Sequence, residues 1–245
     1  MTGTHRQPVS RWRQAGAITV AATLLLVAVL ASLFRYQPSP AFLASVGFVG
    51  GGYLVVVQSI DRRHRQAEFW ITVATGVTAV RAACAVTLGG FLVASQPGGT
   101  AAWIPALLFG GAALFDSLDG FVARATDTTS AFGGRIDVET DALALLIGTA
   151  VAVRFGDAPV VFLLVGIARY VFVGAAFVRR ARGLSVSTLP PRLSRRALGA
   201  TGMIATFVIL SPALTGRLSH LVAVVVTVGV LIGFGRDWLL ITGRF

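Results

Sequence analysis

The stretch Asp116–Asp141, DSLDGFVARATDTTSAFGGRIDVETD, decides how the rest of the chain is read. It holds six of the ten acidic residues of a protein that is otherwise apolar and basic. Asp116, Asp119, Gly120, Ala123 and Arg124 fall at i, i+3, i+4, i+7 and i+8, so on a helix they share one face. Gly133, Asp137 and Asp141 fall at i, i+4 and i+8, which is one face of a second helix. The residues between the two sets suffice to reverse the chain, and two antiparallel helices then bring four carboxylates to one point. Carboxylates crowded in a low-dielectric setting take up protons unless cations neutralise them. Oxygen ligands without His or Cys suit Mg²⁺, Mn²⁺ or Ca²⁺ and not zinc. One glycine on each helix leaves bare backbone where a bulky group can approach closely.

Working outward, the chain is 55% hydrophobic and 13% charged, which is not the profile of a soluble globular domain. Eight apolar runs of bilayer-spanning length are predicted: Ala15–Phe34, Ala41–Ile60, Phe69–Ser95, from Ala101 into the acidic motif, Gly133–Val153, Ala158–Val178, Ala197–Leu214 and Leu218–Phe234. The first is too long for a signal peptide and lacks a following cleavage site, so it is expected to be retained. Glycines 47, 50, 51 and 52 in the second run are expected to permit close helix packing. The single cysteine, Cys84, reads as a small packing residue.

The net charge of +11 comes from arginines, with no lysine in the chain. They cluster in loops between apolar runs, which points to a membrane surface and away from nucleic acid. With the N-terminus inside, sixteen arginines fall on inside segments and three, Arg35, Arg154 and Arg217, on outside loops. That bias predicts cytoplasmic termini, and it puts the acidic motif at the cytoplasmic ends of spans four and five of a cell (inner) membrane protein. Arg81 and Arg169 fall within apolar runs, where each costs roughly 2.5–3.5 kcal/mol on insertion scales, and are functional candidates for that reason. Arg81 has an aspartate within conceivable reach. Arg169 is a candidate for an anionic acceptor or lipid phosphate. Arg179 and Arg180 open a basic loop, 179–196, that could receive a phosphorylated acceptor or touch anionic lipid.

The spacing D-x2-D-G-x2-A-R-x8-G-x3-D-x3-D resembles, at all eight fixed positions, the signature of the CDP-alcohol phosphotransferase (CDP-alcohol phosphatidyltransferase) family. The resemblance implies an all-α polytopic membrane protein of about eight transmembrane helices. Residues 1–68 would be a basic tail plus two extra helices, and residues 69–245 would hold a six-helix catalytic core. It implies transfer of a phosphatidyl or similar phospho-alcohol group from a CDP carrier, most often CDP-diacylglycerol, to a hydroxyl acceptor in phospholipid biosynthesis, with release of CMP.

By position, the resemblance assigns Asp116, Asp119 and Asp137 to two Mg²⁺ or Mn²⁺ ions. It makes Asp141 both a metal ligand and the general base. Asp119, Gly120, Ala123, Arg124 and Gly133 would accommodate the cytidine nucleotide. Thr78 and Arg81 match the family's T-x-x-R in its first core helix, although Ala74 and Thr75 stand where Pro-Asn is usual. Thr78 would join the nucleotide contacts, and Arg81, Arg169, Arg179 and Arg180 are the candidates for acceptor or lipid phosphate. A homodimer embedded in membrane lipids is expected. The competing readings are an ion-coupled membrane transporter, whose acidic groups would ordinarily lie near the midplane, and an inactive relative of the family.

Overall fold

The computed structural model describes residues 10–63, 71–114, 131–185 and 193–242; the side chains of 63, 131 and 193–196 are not described. Eight helices and no strand are found among these residues. They are α1 (Arg11–Leu33), α2 (Pro40–Arg63), α3 (Val73–Leu88), α4 (Gly99–Leu114, opening with a 3₁₀ stretch), α5 (Ala131–Arg154), α6 (Leu163–Ala181), α7 (Leu193–Leu210) and α8 (Arg217–Ile241). Helices α1, α2, α6 and α8, together with Val73–Leu92, are long and apolar enough to cross a bilayer. α4 and α7 contribute shorter apolar stretches. In a bilayer a helix satisfies its own backbone polar groups, so an architecture of many apolar helices is the expected one. The molecule is an all-α polytopic membrane protein.

Several boundaries move from the sequence expectation. α3 ends at Leu88, and Gly89–Leu92 tightens into a 3₁₀ turn. The cause is close packing: a Cβ on Gly90 would sit 2.3 Å from the Phe42 ring, and one on Gly89 2.8 Å from Val49. The start of α3 is fixed by Thr72, whose hydroxyl caps the Thr75 amide at 3.2 Å. α6 runs on through Arg179 and Arg180, which place positive charge at its C-terminal turn, where the helix dipole favours it. Of the expected 179–196 loop, α6 therefore takes the first three residues and α7 the last four, while 186–192 lie outside the described residues. α8 continues past Phe234 to Ile241 and carries Arg236, Asp237 and Trp238. Trp238 meets Phe172 edge-on at 5.9 Å, and Phe234 meets the same ring at 5.7 Å. Of the four glycines of α2, only Gly50 lies close to a neighbour, Val86, at 3.3 Å from an added Cβ; Gly47, Gly51 and Gly52 face open space. The expected glycine packing therefore comes chiefly from Gly89 and Gly90, across from α2.

The chain forms two compact units. One comprises residues 1–94 and 108–141, the other 95–107 and 142–245. In the first, α1 and α2 pack against α3, the most enclosed of the spans. The second is built on α7 against α8 and α6 against α8. In it a Cβ on Gly166 of α6 would stand 2.7 Å from the Leu146 Cα of α5, so these two backbones approach closely. Cys84 is buried, as a packing residue should be.

Candidate active site

The second half of the acidic motif lies on the first turns of α5. Asp137 and Asp141 are one helical turn apart and project from the same face. Each keeps about a third of its side chain exposed, at 33% and 35%. Phe132, Ile136 and Thr140 take the neighbouring set of positions, about 100° round the helix, and are buried. The sequence thus sets this segment's rotation: apolar residues and a threonine turn inward, and carboxylates rim the surface.

Arg81 meets this face from the middle of α3. Among the described residues it is the largest fully buried side chain, 1% exposed. Its Nη1 donates to Asp137 Oδ1 and its Nη2 to Asp141 Oδ1. Its Nε donates to the Ala112 carbonyl of α4 at 2.9 Å. A planar guanidinium presents its donors in a fixed fork from three nitrogens, so one residue holds two carboxylates and a carbonyl that lie apart, where a lysine would have to reach all three from a single nitrogen. A buried charge is tolerated only when paired and hydrogen-bonded, and Arg81 has both. The pairing with aspartate left open by the sequence is therefore a pairing with two of them.

Thr78, one turn before Arg81, is buried, and its hydroxyl donates to the Ala74 carbonyl at 3.1 Å. Gly133 lies on α5, one turn before Asp137. Arg169 is half-buried on α6. Arg179 donates through Nε to the Ser185 carbonyl at 2.9 Å, and Arg180 is exposed. Asp116, Asp119, Gly120, Ala123 and Arg124 lie outside the described residues. The structure brings together Arg81, Asp137 and Asp141; Arg169, Arg179 and Arg180 belong to the other compact unit.

Among the described residues no cluster of three or more metal-ligating side chains occurs. Asp137 and Asp141 nonetheless suit a hard divalent cation. Both are oxygen donors on one face, both reach solvent, and Arg81 engages the Oδ1 atom of each.

Two contacts near this face had no signal in the sequence. Tyr53 of α2 lies with its hydroxyl 3.1 Å from Thr140 Oγ1, across 87 positions of chain. Arg11 of α1 stacks on the Phe132 ring of α5, 4.7 Å from its centroid. A tyrosine in a glycine-rich apolar run and an arginine in a basic tail have ordinary explanations there, and only the tertiary arrangement gives them partners.

No curated protein matches the chain. The family profile of CDP-alcohol phosphatidyltransferase does match, over residues 71–234, about two-thirds of the sequence, and that segment contains α3, α5 and both halves of the acidic motif. The chain belongs to the CDP-alcohol phosphatidyltransferase family.

Proposed function

We propose that this protein transfers a phosphatidyl group from CDP-diacylglycerol to a hydroxyl acceptor and releases CMP. The observation that carries the reading is the pair Asp137 and Asp141, held side by side on the family-matched segment by a buried arginine. Asp137 and Asp141, with Asp116 and Asp119, would hold two Mg²⁺ or Mn²⁺ ions. When bound, such ions neutralise phosphate charge and stabilise a leaving nucleotide.

The chain's own residues do the rest. Asp141 accepts the proton of the acceptor hydroxyl as its oxygen bonds to the β-phosphorus. The bond from that phosphorus to the bridging oxygen breaks, and CMP departs with the oxygen and the electron pair. Asp119, Gly120, Ala123, Arg124, Gly133 and Thr78 accommodate the nucleotide. Arg81 fixes the two carboxylates in register, which leaves Arg169, Arg179 and Arg180 as the arginines for acceptor or lipid phosphate. The site faces the cytoplasm, so a soluble nucleotide head reaches the carboxylates while the lipid tail stays in the bilayer. The protein works as a homodimer.

The test is CMP release from CDP-diacylglycerol by the purified protein with Mg²⁺ or Mn²⁺, an EDTA control and a panel of hydroxyl acceptors. Metal-dependent release with one acceptor is expected. Asp137→Asn and Asp141→Asn are each expected to lower release at least 10³-fold, equivalent to about 4 kcal/mol of barrier, while the protein stays folded in detergent. Retained activity in both variants would overturn the assignment of these carboxylates.

A further inference from the structure

Helices α1 and α2 precede the segment that the family profile matches, so family membership leaves them without a role. They are nevertheless in contact with the acidic helix. Tyr53 of α2 is 4% exposed, and its hydroxyl meets Thr140, itself 1% exposed. Thr140 stands one residue before Asp141 and three after Asp137. The direction of the bond follows from valence. Thr140 Oγ1 spends its one proton on the Ile136 carbonyl at 2.8 Å, so it accepts from the Tyr53 hydroxyl. Helix α1 adds a second brace. Arg11, nearly buried, donates from Nε to Asp61 Oδ1 of α2 at 3.2 Å while its guanidinium covers Phe132, the residue before Gly133. Thr19 of α1 shares its hydroxyl proton between the Ala15 carbonyl of its own helix at 3.0 Å and the Ala79 carbonyl of α3 at 3.1 Å, two residues before Arg81. All of these residues belong to the same compact unit.

We propose that the N-terminal helix pair is a working part of the acidic site, with Tyr53 a positioning residue that fixes the rotation of α5. The inference rests on the function proposed above. Its physical basis is the kind of anchor each contact provides. Arg81 holds α5 through the two carboxylates themselves, and any cation that binds them competes with that hold. The Tyr53–Thr140 bond grips the same turn through neutral groups, for which a cation does not compete. It therefore keeps α5 in register when the carboxylates turn to a metal.

The experiment uses the full-length protein in detergent and reads Mn²⁺ binding by electron paramagnetic resonance alongside CMP release from CDP-diacylglycerol. Tyr53→Phe keeps the ring and removes only the hydroxyl. It is expected to raise the Mn²⁺ concentration for half-saturation on the order of tenfold, as loss of a ligand-orienting hydrogen bond does. Thr140→Val is expected to do the same, and the double variant to be no worse than either single one. Ser45→Ala is the control: it deletes a different cross-helix bond of α2, Ser45 Oγ to the Gly89 carbonyl at 2.7 Å. It is expected to lower stability and leave the Mn²⁺ midpoint where it was. An unchanged midpoint in Tyr53→Phe overturns the proposal. So does an equal shift in Ser45→Ala, or additive effects of the Tyr53 and Thr140 changes. Wild-type protein that neither binds Mn²⁺ nor releases CMP removes the proposed function and this inference with it. Wild-type protein that does both, beside an unaffected Tyr53→Phe, removes the inference alone.

Discussion

Helices α3 and α6 each carry one arginine inside an apolar span, and they solve the problem differently. Over its spanning window α3 is 78% buried within the protein, whereas α6 is 22% buried and turns much of its surface, including Val171, Val173 and Phe177, outward. Arg81 on α3 is enclosed and satisfied by a carbonyl and two carboxylates. Arg169 on α6 stands only half-buried. The lesson concerns where a membrane protein can keep a fixed charge. A span covered on most sides by other helices can be less apolar than its neighbours and still be held in place, because protein, not lipid, solvates its polar groups.

Removing the enclosed arginine is the sharpest way to break this contrast. Arg81→Met removes the hydrogen bond to the Ala112 carbonyl and the positive charge that Asp137 and Asp141 share. Removing one partner of a fully buried pair costs 3–5 kcal/mol. Here the carboxylates keep a third of their surface in contact with solvent, so we expect about 2–4 kcal/mol, read as thermal unfolding in detergent. Arg81→Lys retains the charge but offers its donors from a single nitrogen instead of a fixed fork, and is expected to recover less than half of that loss. Arg169→Met is expected to cost less than Arg81→Met. Equal losses at the two sites would show that burial does not distinguish them.

The second test moves from charge to shape. Gly166 and Gly174 lie two turns apart on α6. A Cβ at Gly166 would meet Thr149 Oγ1 at 2.5 Å, Leu146 Cα at 2.7 Å and the Leu145 carbonyl at 3.1 Å, two of them backbone atoms that cannot swing aside. At Gly174 nothing lies within 4 Å. Gly166→Ala is therefore expected to destabilise by about 1–3 kcal/mol through overpacking, and Gly174→Ala to show no loss. A Gly166→Ala protein that melts with wild type would mean that α5 and α6 can separate at no cost.

The motif, the eight helices and the membrane class were legible in the sequence because each is written in local pattern. Apolar runs of spanning length and a fixed spacing of aspartates and glycines need no tertiary information. Helix ends were less legible. α3 stops where Gly90 meets Phe42, which lies on another helix, and α8 continues through Arg236 and Asp237 because helical backbone bonding does not require an apolar side chain at every position. The partners of the site were legible only in part. Arg81 stood out because an arginine in an apolar run is costly, but its pairing with both Asp137 and Asp141 depends on how α3 and α5 cross. Tyr53 carried no signal, since a buried tyrosine in a span is ordinary until its hydroxyl is traced to Thr140.

The smallest expected effect completes the comparison, now between carboxylates. Asp137 and Asp141 have a cationic partner, Arg81. Asp157, in the turn between α5 and α6, has a neutral one, Gln96 Nε2 at 3.1 Å from its Oδ2. Partial burial raises the Asp157 carboxyl above its usual value, and the Gln96 hydrogen bond and the nearby His220 only partly offset that. A raised folded-state value means that the native protein holds this proton more tightly than the unfolded chain does. The resulting stabilisation is fully present below the ordinary carboxylate value of about 3.9 and is lost as pH rises through the folded value. Asp157→Asn removes that proton equilibrium and keeps a side chain that can still bond Gln96. Its stability relative to wild type is therefore expected to rise across this window and to level off above it. Thermal unfolding of the two proteins in detergent at stepped pH measures the difference directly. A difference that falls with pH would mean that the charged carboxylate of Asp157 is the form the fold prefers.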